Sequence, residues 1–310
     1  MRVAFFGLPL AAAALVADGH EVVWAGLSRA GASGTRRLHR LIGAERVTLV
    51  KDAEDPRVLE RVHAARPDLI ASWFFTKRLP SSVLRVAPAF GVHPSLLPRH
   101  RGPDPYFWAI DSGDSTTGVT AHILDESYDT GAILAQRSLP IDPMWDSWRL
   151  ARALDRPSLA LFREVARAFA SGRPPEARPQ DESKATLAPE PTDEELAVRW
   201  SWAADRVERR VRAAAPWPGA WTEIGERIVT LVRVKQTTVF PRALSPGEAA
   251  VRPDGVAVVR AQRGALELLA GRDEDDRPLS TEDLSARVAS ARTLSVAPEG
   301  ALRFDKPESE

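Results

Sequence analysis

At 310 residues the chain exceeds one typical domain and suits two, and its 44% hydrophobic and 27% charged content is that of a globular protein with real cores. The formal net charge is zero, so no global field attracts a polyanion, and any nucleic-acid contact must come from local patches. The absence of cysteine excludes disulfides, thiolate metal sites and a cysteine nucleophile, and fits a reducing compartment.

The chain opens on a short apolar run, residues 3–7, followed by Pro9 and an alanine-rich stretch to residue 17. Pro near a helix start and Ala through its body predict strand, turn and helix. Gly7 and Pro9 interrupt the run and no cleavage pattern follows, so it is not read as a signal peptide. No run of about eighteen apolar residues exists to span a membrane, and the cytoplasm is the expected location. A dinucleotide-binding reading fails, because Gly7 stands without the rest of the Gly-x-Gly-x-x-Gly fingerprint. Residues 21–24 predict a second strand. Residues 28–40 differ in texture, with Gly31, Gly34, Arg29, Arg36, Arg37, Arg40 and no acid. Such a stretch is either a solvated loop and helix face or a surface that follows phosphates. Residues 47–50, 56–65 and 69–73 continue a βαβ alternation, which predicts an α/β domain built on a mainly parallel sheet flanked by helices.

Residues 90–136 carry the candidate chemistry. A short apolar strand delivers His93 at its carboxyl end, and a second, residues 118–124, leads into a turn carrying Asp129. Ligands in open α/β sheets sit at strand ends, so the two side chains are expected to converge although far apart in sequence. An imidazole facing a carboxylate suits acid/base work on an attacking amine. His122 is a further candidate, read either as a stand-in donor or as a packed strand histidine. Asp104 before Pro105 is read as a helix cap. No metal-ligand spacing and no Gly-x-Ser-x-Gly elbow is present, and no metal is expected.

Residues 133–139 predict a strand and 145–170 a long helix that closes the first domain. Pro174, Pro175 and Pro179 with Glu176, Asp181 and Glu182 make a polar, proline-rich linker. Residues 203–215 read as a helix, closed by Pro216-Trp217-Pro218-Gly219-Ala220-Trp221, and short alternating runs follow. Several short strands with turns between them predict a small β-barrel. Residues 199–242 hold nine basic and four acidic residues, whereas 243–310 hold nine basic and thirteen acidic. One face of this domain is therefore available to phosphates, with a solvated charge balance as the alternative.

His93-Pro94-Ser95-Leu96-Leu97-Pro98, Arg101-Gly102, Thr117-Gly118-Val119-Thr120, Asp129-Thr130-Gly131 and the Pro-Trp-Pro-Gly-Ala-Trp string together resemble the 10-formyltetrahydrofolate-dependent formyltransferases. The layout is most similar to the branch that acts on methionyl initiator transfer RNA. The resemblance implies a formyltransferase domain over residues 1–180, a linker over 181–204 and an OB-like β-barrel domain over 205–310. It implies an Asn, His and Asp catalytic trio, of which His93 and Asp129 are present and Gly91 stands at the Asn position. The implied cosubstrate is 10-formyltetrahydrofolate, held by Phe75, Leu79, Pro94, Ser95, Leu96, Leu97, Pro98 and Tyr128. Acceptor contacts are expected from Arg36, Arg37, Arg40 and Arg101. The implied acceptor is initiator transfer RNA, with an amino-sugar nucleotide or other small amine as the alternative, and Gly91 also admits a pseudoenzyme that keeps the fold without turnover. A monomer without membrane contact is expected.

Overall fold

The computed structural model describes residues 1–225 and 227–291, together with the backbone of two short strands, Ser295–Val296 and Leu302–Arg303. The chain divides into two compact units. The first comprises Met1–Pro105, Thr116–Pro140 and Ala151–Pro189; the second comprises Tyr106–Ser115, Ile141–Leu150 and the chain from Glu190 onward. This differs from a single cut at 180 followed by a linker over 181–204. Residues 178–188 stay with the first unit because they are hydrogen-bonded to it, through an antiparallel bridge of Arg178 to Ile133 and a parallel one of Leu187 to Arg101. The expected second domain, 205–310, runs past the described residues.

In chain order the first elements are β1 (Arg2–Gly7), α1 (Pro9–Ala17), β2 (Glu21–Leu27), α2 (Thr35–Ile42), β3 (Val47–Leu49) and α3 (Pro56–Ala65). Then come β4 (Leu69–Trp73), α4 (Ser81–Leu84), β5 (Ala89–His93), α5 (Pro105–Asp111), β6 (Thr116–Ile123), β7 (Ile133–Pro140) and α6 (Ser147–Ala170). The seven strands order as β3-β2-β1-β4-β5-β6-β7, parallel through β5 and antiparallel for β6 and β7. β4 and β5 are buried at every position, as strands covered on both faces must be, and their residues are correspondingly apolar. One face packs Phe6, Trp24, Ile70 and Leu79 beneath Val58, Val62 and Val83 of α3 and α4. On the other, Phe162 of α6 meets Phe5 at 6.1 Å and Phe90 at 5.4 Å between ring centroids. Trp73 donates its indole N–H to Ser158 of α6 at 2.8 Å. The Arg163 guanidinium, with Arg167 beside it, holds Asp18 at the end of α1 well below the usual carboxylate range. The mainly parallel sheet flanked by helices is thus present as read from the sequence.

The second unit holds α7 (Asp193–Leu196), α8 (Ala204–Ala214), β8 (Ala220–Ile224), β9 (Arg227–Thr237), β10 (Ala249–Val251), β11 (Ala257–Arg260), β12 (Ala265–Arg272), β13 (Pro278–Leu279) and α9 (Thr281–Ser290). Its antiparallel sheet orders as β10-β11-β12-β9-β8, with β13 on β12, which gives the expected small β-domain as a half-barrel. Inside it the Asp111 carboxylate takes paired hydrogen bonds from Arg206 and Arg210, the closest Arg210 contact being 2.7 Å. Trp202 lies under both guanidinium groups, at 4.3 and 5.0 Å from its ring centre. Asp111 and Arg210 are buried, so each charge depends on the other. Removing one partner of such a pair costs about 3–5 kcal/mol, because the other stays buried and unpaired. Asp111→Asn is expected to lower stability by that order in urea unfolding followed by tryptophan fluorescence, and an unchanged midpoint would refute this account.

Candidate active site

Strand register builds the site. Ser72 of β4 pairs with Gly91 of β5, Gly91 with His122 of β6, and His93 with Thr120. Partners directly across a ladder point to the same face, and residues two apart on one strand do likewise. Ser72, Gly91, His93, Thr120 and His122 therefore share one face at the carboxyl end of the parallel strands. Asp129 reaches this face from the loop after β6. Its Oδ2 lies 3.4 Å from His93 Nδ1 and its Oδ1 lies 3.4 Å from His122 Nε2. Both rings and the carboxylate are largely withdrawn from solvent, with side-chain exposures of 7%, 3% and 17%. The expected convergence of His93 and Asp129 is present in the geometry, and His122 joins them as a second imidazole.

Backbone carbonyls set the ring tautomers. A carbonyl only accepts, so His93 Nε2–H donates to the His100 carbonyl at 2.7 Å and His122 Nδ1–H donates to the Ile123 carbonyl at 2.8 Å. Each ring thus turns its other nitrogen to one oxygen of the same carboxylate. Burial works against charge on Asp129, but the His93 and His122 rings and the Gly102 N–H at 2.9 Å outweigh it and hold the carboxyl well below the usual range. For His93, burial wins over the Asp129 charge and the His100 carbonyl, and its pKa falls below that of free imidazole. A ring that releases its second proton readily, beside a carboxylate that keeps its charge, suits proton transfer to and from nitrogen.

The loops around this cluster are tied down. Asp129 and His100 both adopt left-handed backbone conformations, each with φ of 57°, which cost non-glycine residues on the order of 1–2 kcal/mol. Gln180 offsets the cost at Asp129 by donating to the Asp129 and Gly131 carbonyls at 2.7 and 2.8 Å. The Thr186 hydroxyl accepts from His100 N–H at 2.8 Å. Gly102 has φ of 121°, and a Cβ there would lie 2.8 Å from the Ala188 carbonyl oxygen, so only glycine brings this N–H to Asp129 without strain. Behind His93, the Thr120 hydroxyl donates to the Ser95 carbonyl at 2.6 Å and accepts from Leu97 N–H, while Gln136 donates to the Leu97 carbonyl.

Several residues singled out from the sequence are placed differently. Arg101 is buried, its guanidinium bound to Glu182 at 2.7 Å and to Gln180 through four of its five N–H donors, so it braces residues 180–182. Gly91 leaves no gap beside His93: Leu124 covers it, with a methyl 2.9 Å from where a Cβ would stand. Phe75 packs on Phe6 at 5.2 Å and Leu79 is in the core, so both serve the sheet's underside. Pro94, Ser95 and Leu97 are buried in the loop, and the Ser95 hydroxyl donates to the Arg99 carbonyl. Leu96 and Pro98 line a cavity of about 420 Å³ with Arg99 and residues 183–186, and Tyr128 is exposed. Arg36, Arg37 and Arg40 on α2 are exposed and make no ion pair among the described residues. In the second unit Arg206, Arg209, Arg210 and Arg212 are committed to Asp111, Asp205 and the Trp145 carbonyl, which consumes much of the positive excess of residues 199–242. Gln180, Glu182, Thr186 and Leu124 escaped sequence reasoning, since a polar loop residue carries no pattern that names its distant partner.

Both units of the chain have counterparts among known proteins. The formyl transferase family matches residues 24–165 and its C-terminal domain matches residues 191–288. The methionyl-tRNA formyltransferase of Chloroflexus aurantiacus is 32% identical over 295 residues, covering 90% of this chain and 94% of that one. Among solved structures, HypX from Aquifex aeolicus in complex with tetrahydrofolic acid has a TM-score of 0.65 at 20% identity, over 98% of this chain and 48% of that longer one. The N-formyltransferase from Helicobacter canadensis, in complex with folinic acid and dTDP-3-aminofucose, has a TM-score of 0.64 at 11% identity, over 86% of this chain and 98% of that one. At such identities the structural likenesses establish the fold alone. The His93–Asp129 pair at the strand ends of this sheet is a candidate for acid/base chemistry at nitrogen. On the sequence matches, the chain belongs to the formyl transferase family.

The site fixes how stability depends on pH. Folded His93 binds its second proton less readily than unfolded His93, so that contribution is complete above the free imidazole range and declines as pH falls into it. Folded Asp129 is the stronger acid, so its contribution persists until pH falls below the usual carboxylate range. Urea midpoints measured against pH are expected to fall in two stages. His93→Gln should shrink the upper stage, to which His20 also contributes, and Asp129→Asn the lower, to which Asp18 also contributes; a profile unchanged in both variants would contradict the assignment.

Proposed function

We propose that this chain transfers the formyl group of 10-formyltetrahydrofolate to the amino group of methionyl initiator transfer RNA. What carries the reading is the match, across both domains, to methionyl-tRNA formyltransferases that it parallels nearly end to end. The amine nitrogen forms a bond to the formyl carbon while the carbonyl π pair moves onto oxygen; collapse returns the pair and breaks the bond to N10. His93 accepts the proton the amine loses and returns it to N10, and Asp129 orients the ring and stabilises its charged form. His122 fixes the second oxygen of Asp129. The reaction takes place in the cytoplasm, and among the described residues no helix is long and apolar enough to cross a membrane.

For the polyanion, α2 begins beside Pro9, with Gly34 against the Pro9 ring, at the sheet edge where β1 and β5 end. Its three exposed arginines supply the local cations that a neutral protein needs. In the second unit Lys235 and Arg263 are exposed beside a cavity of about 450 Å³. One observation favours a second reading, a small amine as acceptor: the stretch Thr120-Ala121-His122-Ile123-Leu124-Asp125 resembles the equivalent strand of the glycinamide ribonucleotide branch, and its His122 reaches Asp129.

Formyl transfer is to be measured with charged initiator transfer RNA beside glycinamide ribonucleotide and a dTDP-linked amino sugar. Product on the transfer RNA alone is expected. Product on a small amine alone would move the assignment to that branch, and none on any acceptor would make the chain a non-catalytic binder. Replacing Arg36, Arg37 and Arg40 by Ala should weaken transfer-RNA binding and lower the slope of log affinity against log salt by about two, at roughly 0.7–0.9 per lost phosphate contact. An unchanged slope would exclude α2 from the contact.

A further inference from the structure

We propose that Ser72 is a further catalytic residue, whose hydroxyl donates to the oxyanion the hydrogen bond that Gly91 has no side chain to give. The inference rests on the formyl-transfer reading above and adds to it a residue on a neighbouring strand.

Placement comes first. Ser72, Gly91 and His122 occupy one row across β4, β5 and β6, and His93 rises from the same face one pleat further along β5. A Cβ on Gly91 would meet the Ser72 Cβ at 3.6 Å, and its other near contacts are the apolar atoms of Leu124. Ser72 thus brings a polar side chain to the edge of the volume that a residue at 91 would fill.

Hydrogen-bond valence comes second. Ser72 is 9% exposed as a residue, and its hydroxyl makes no hydrogen bond among the described residues yet is not sealed from solvent, so it is open to a ligand atom. A hydroxyl with no partner in the protein and some access to solvent keeps its donor free for a bound group. Ser72 is also the sole hydroxyl in β4, Leu-Ile-Ala-Ser-Trp. The indole of Trp73 does not need it, since that N–H is bound to Ser158.

Donor supply comes third. As amine attack moves the carbonyl pair onto oxygen, that oxygen needs an N–H or O–H aimed at it. His93 Nε2–H is already given to the His100 carbonyl and His122 Nδ1–H to the Ile123 carbonyl. Their remaining nitrogens face Asp129. A hydroxyl that rotates freely and has no other partner meets the need, while the proton from the amine still travels through His93 to N10.

The test is Ser72→Ala, assayed with methionyl initiator transfer RNA and, without any acceptor amine, by hydrolysis of 10-formyltetrahydrofolate to formate in a single turnover. Both pass through the same oxyanion. Loss of one such donor costs on the order of 10²–10³ in turnover. A fall of that size in kcat is expected, with KM for the folate unchanged and a melting temperature equal to or above wild type, because the hydroxyl holds nothing in the fold. Adding Gly91→Asn to Ser72→Ala should restore at least tenfold, since the Leu124 methyl in its path ends a flexible side chain. A variant as fast as wild type, or one whose whole loss lies in KM, would overturn the assignment while leaving formyl transfer intact. A wild-type protein that releases no formyl group in either assay would instead remove the reading beneath it.

Discussion

Asp129 keeps a negative charge where solvent scarcely reaches, and much of the first unit is arranged around that fact. Its two oxygens face two imidazoles, and one also takes the Gly102 N–H. A buried carboxylate with fewer partners would take up a proton instead of holding its charge. Each partner has requirements of its own. His93 must end β5, His122 must lie across from Gly91, Gly102 must have no Cβ, and Asp129 must hold a left-handed backbone that Gln180 secures. The fold brings these conditions together through strand register on one side and a chain of backbone hydrogen bonds on the other.

A second buried carboxylate, Asp111, shows what the first is not. Arg206 and Arg210 clasp it in paired hydrogen bonds, with Arg210 as close as 2.7 Å, and guanidinium groups do not give up protons. Such a group is static and fixes structure. Around Asp129 the facing distances are 3.4 Å and the partners are imidazoles, which exist with one ring proton or two. The same physical problem, charge in a poorly solvated place, is solved once with fixed cations and once with movable protons.

Much of this was legible in the chain. The alternation of apolar runs and helical stretches indicated the parallel sheet, and His93 and Asp129 followed from strand ends because side-chain direction is periodic along a strand. The resemblance to the formyltransferases supplied the second domain. What remained hidden depends on contacts between loops. Arg101 reads as an exposed basic residue, yet Glu182, 81 positions later, takes its charge. Gly91 reads as a missing side chain and hence a void, but Leu124 closes over it, because packed interiors let a neighbouring side chain fill available volume. The arginines of α8 suggest a basic face, but several turn inward to Asp111, Asp205 and the Trp145 carbonyl. Local composition does not say which charges are already paired.

The hydrogen bonds made by residues 178–188 set an order of events during biosynthesis. Gln180 holds the loop of Asp129, Thr186 holds His100, and the Ala188 carbonyl accepts from Asp104 N–H. A ribosome that has released only the helical and sheet segments through α6 has therefore made every strand of the first unit but not the braces of the Asp129 cluster. These ties to the Asp129 and His100 loops can form only once the segment leading toward the second unit has emerged and folded back.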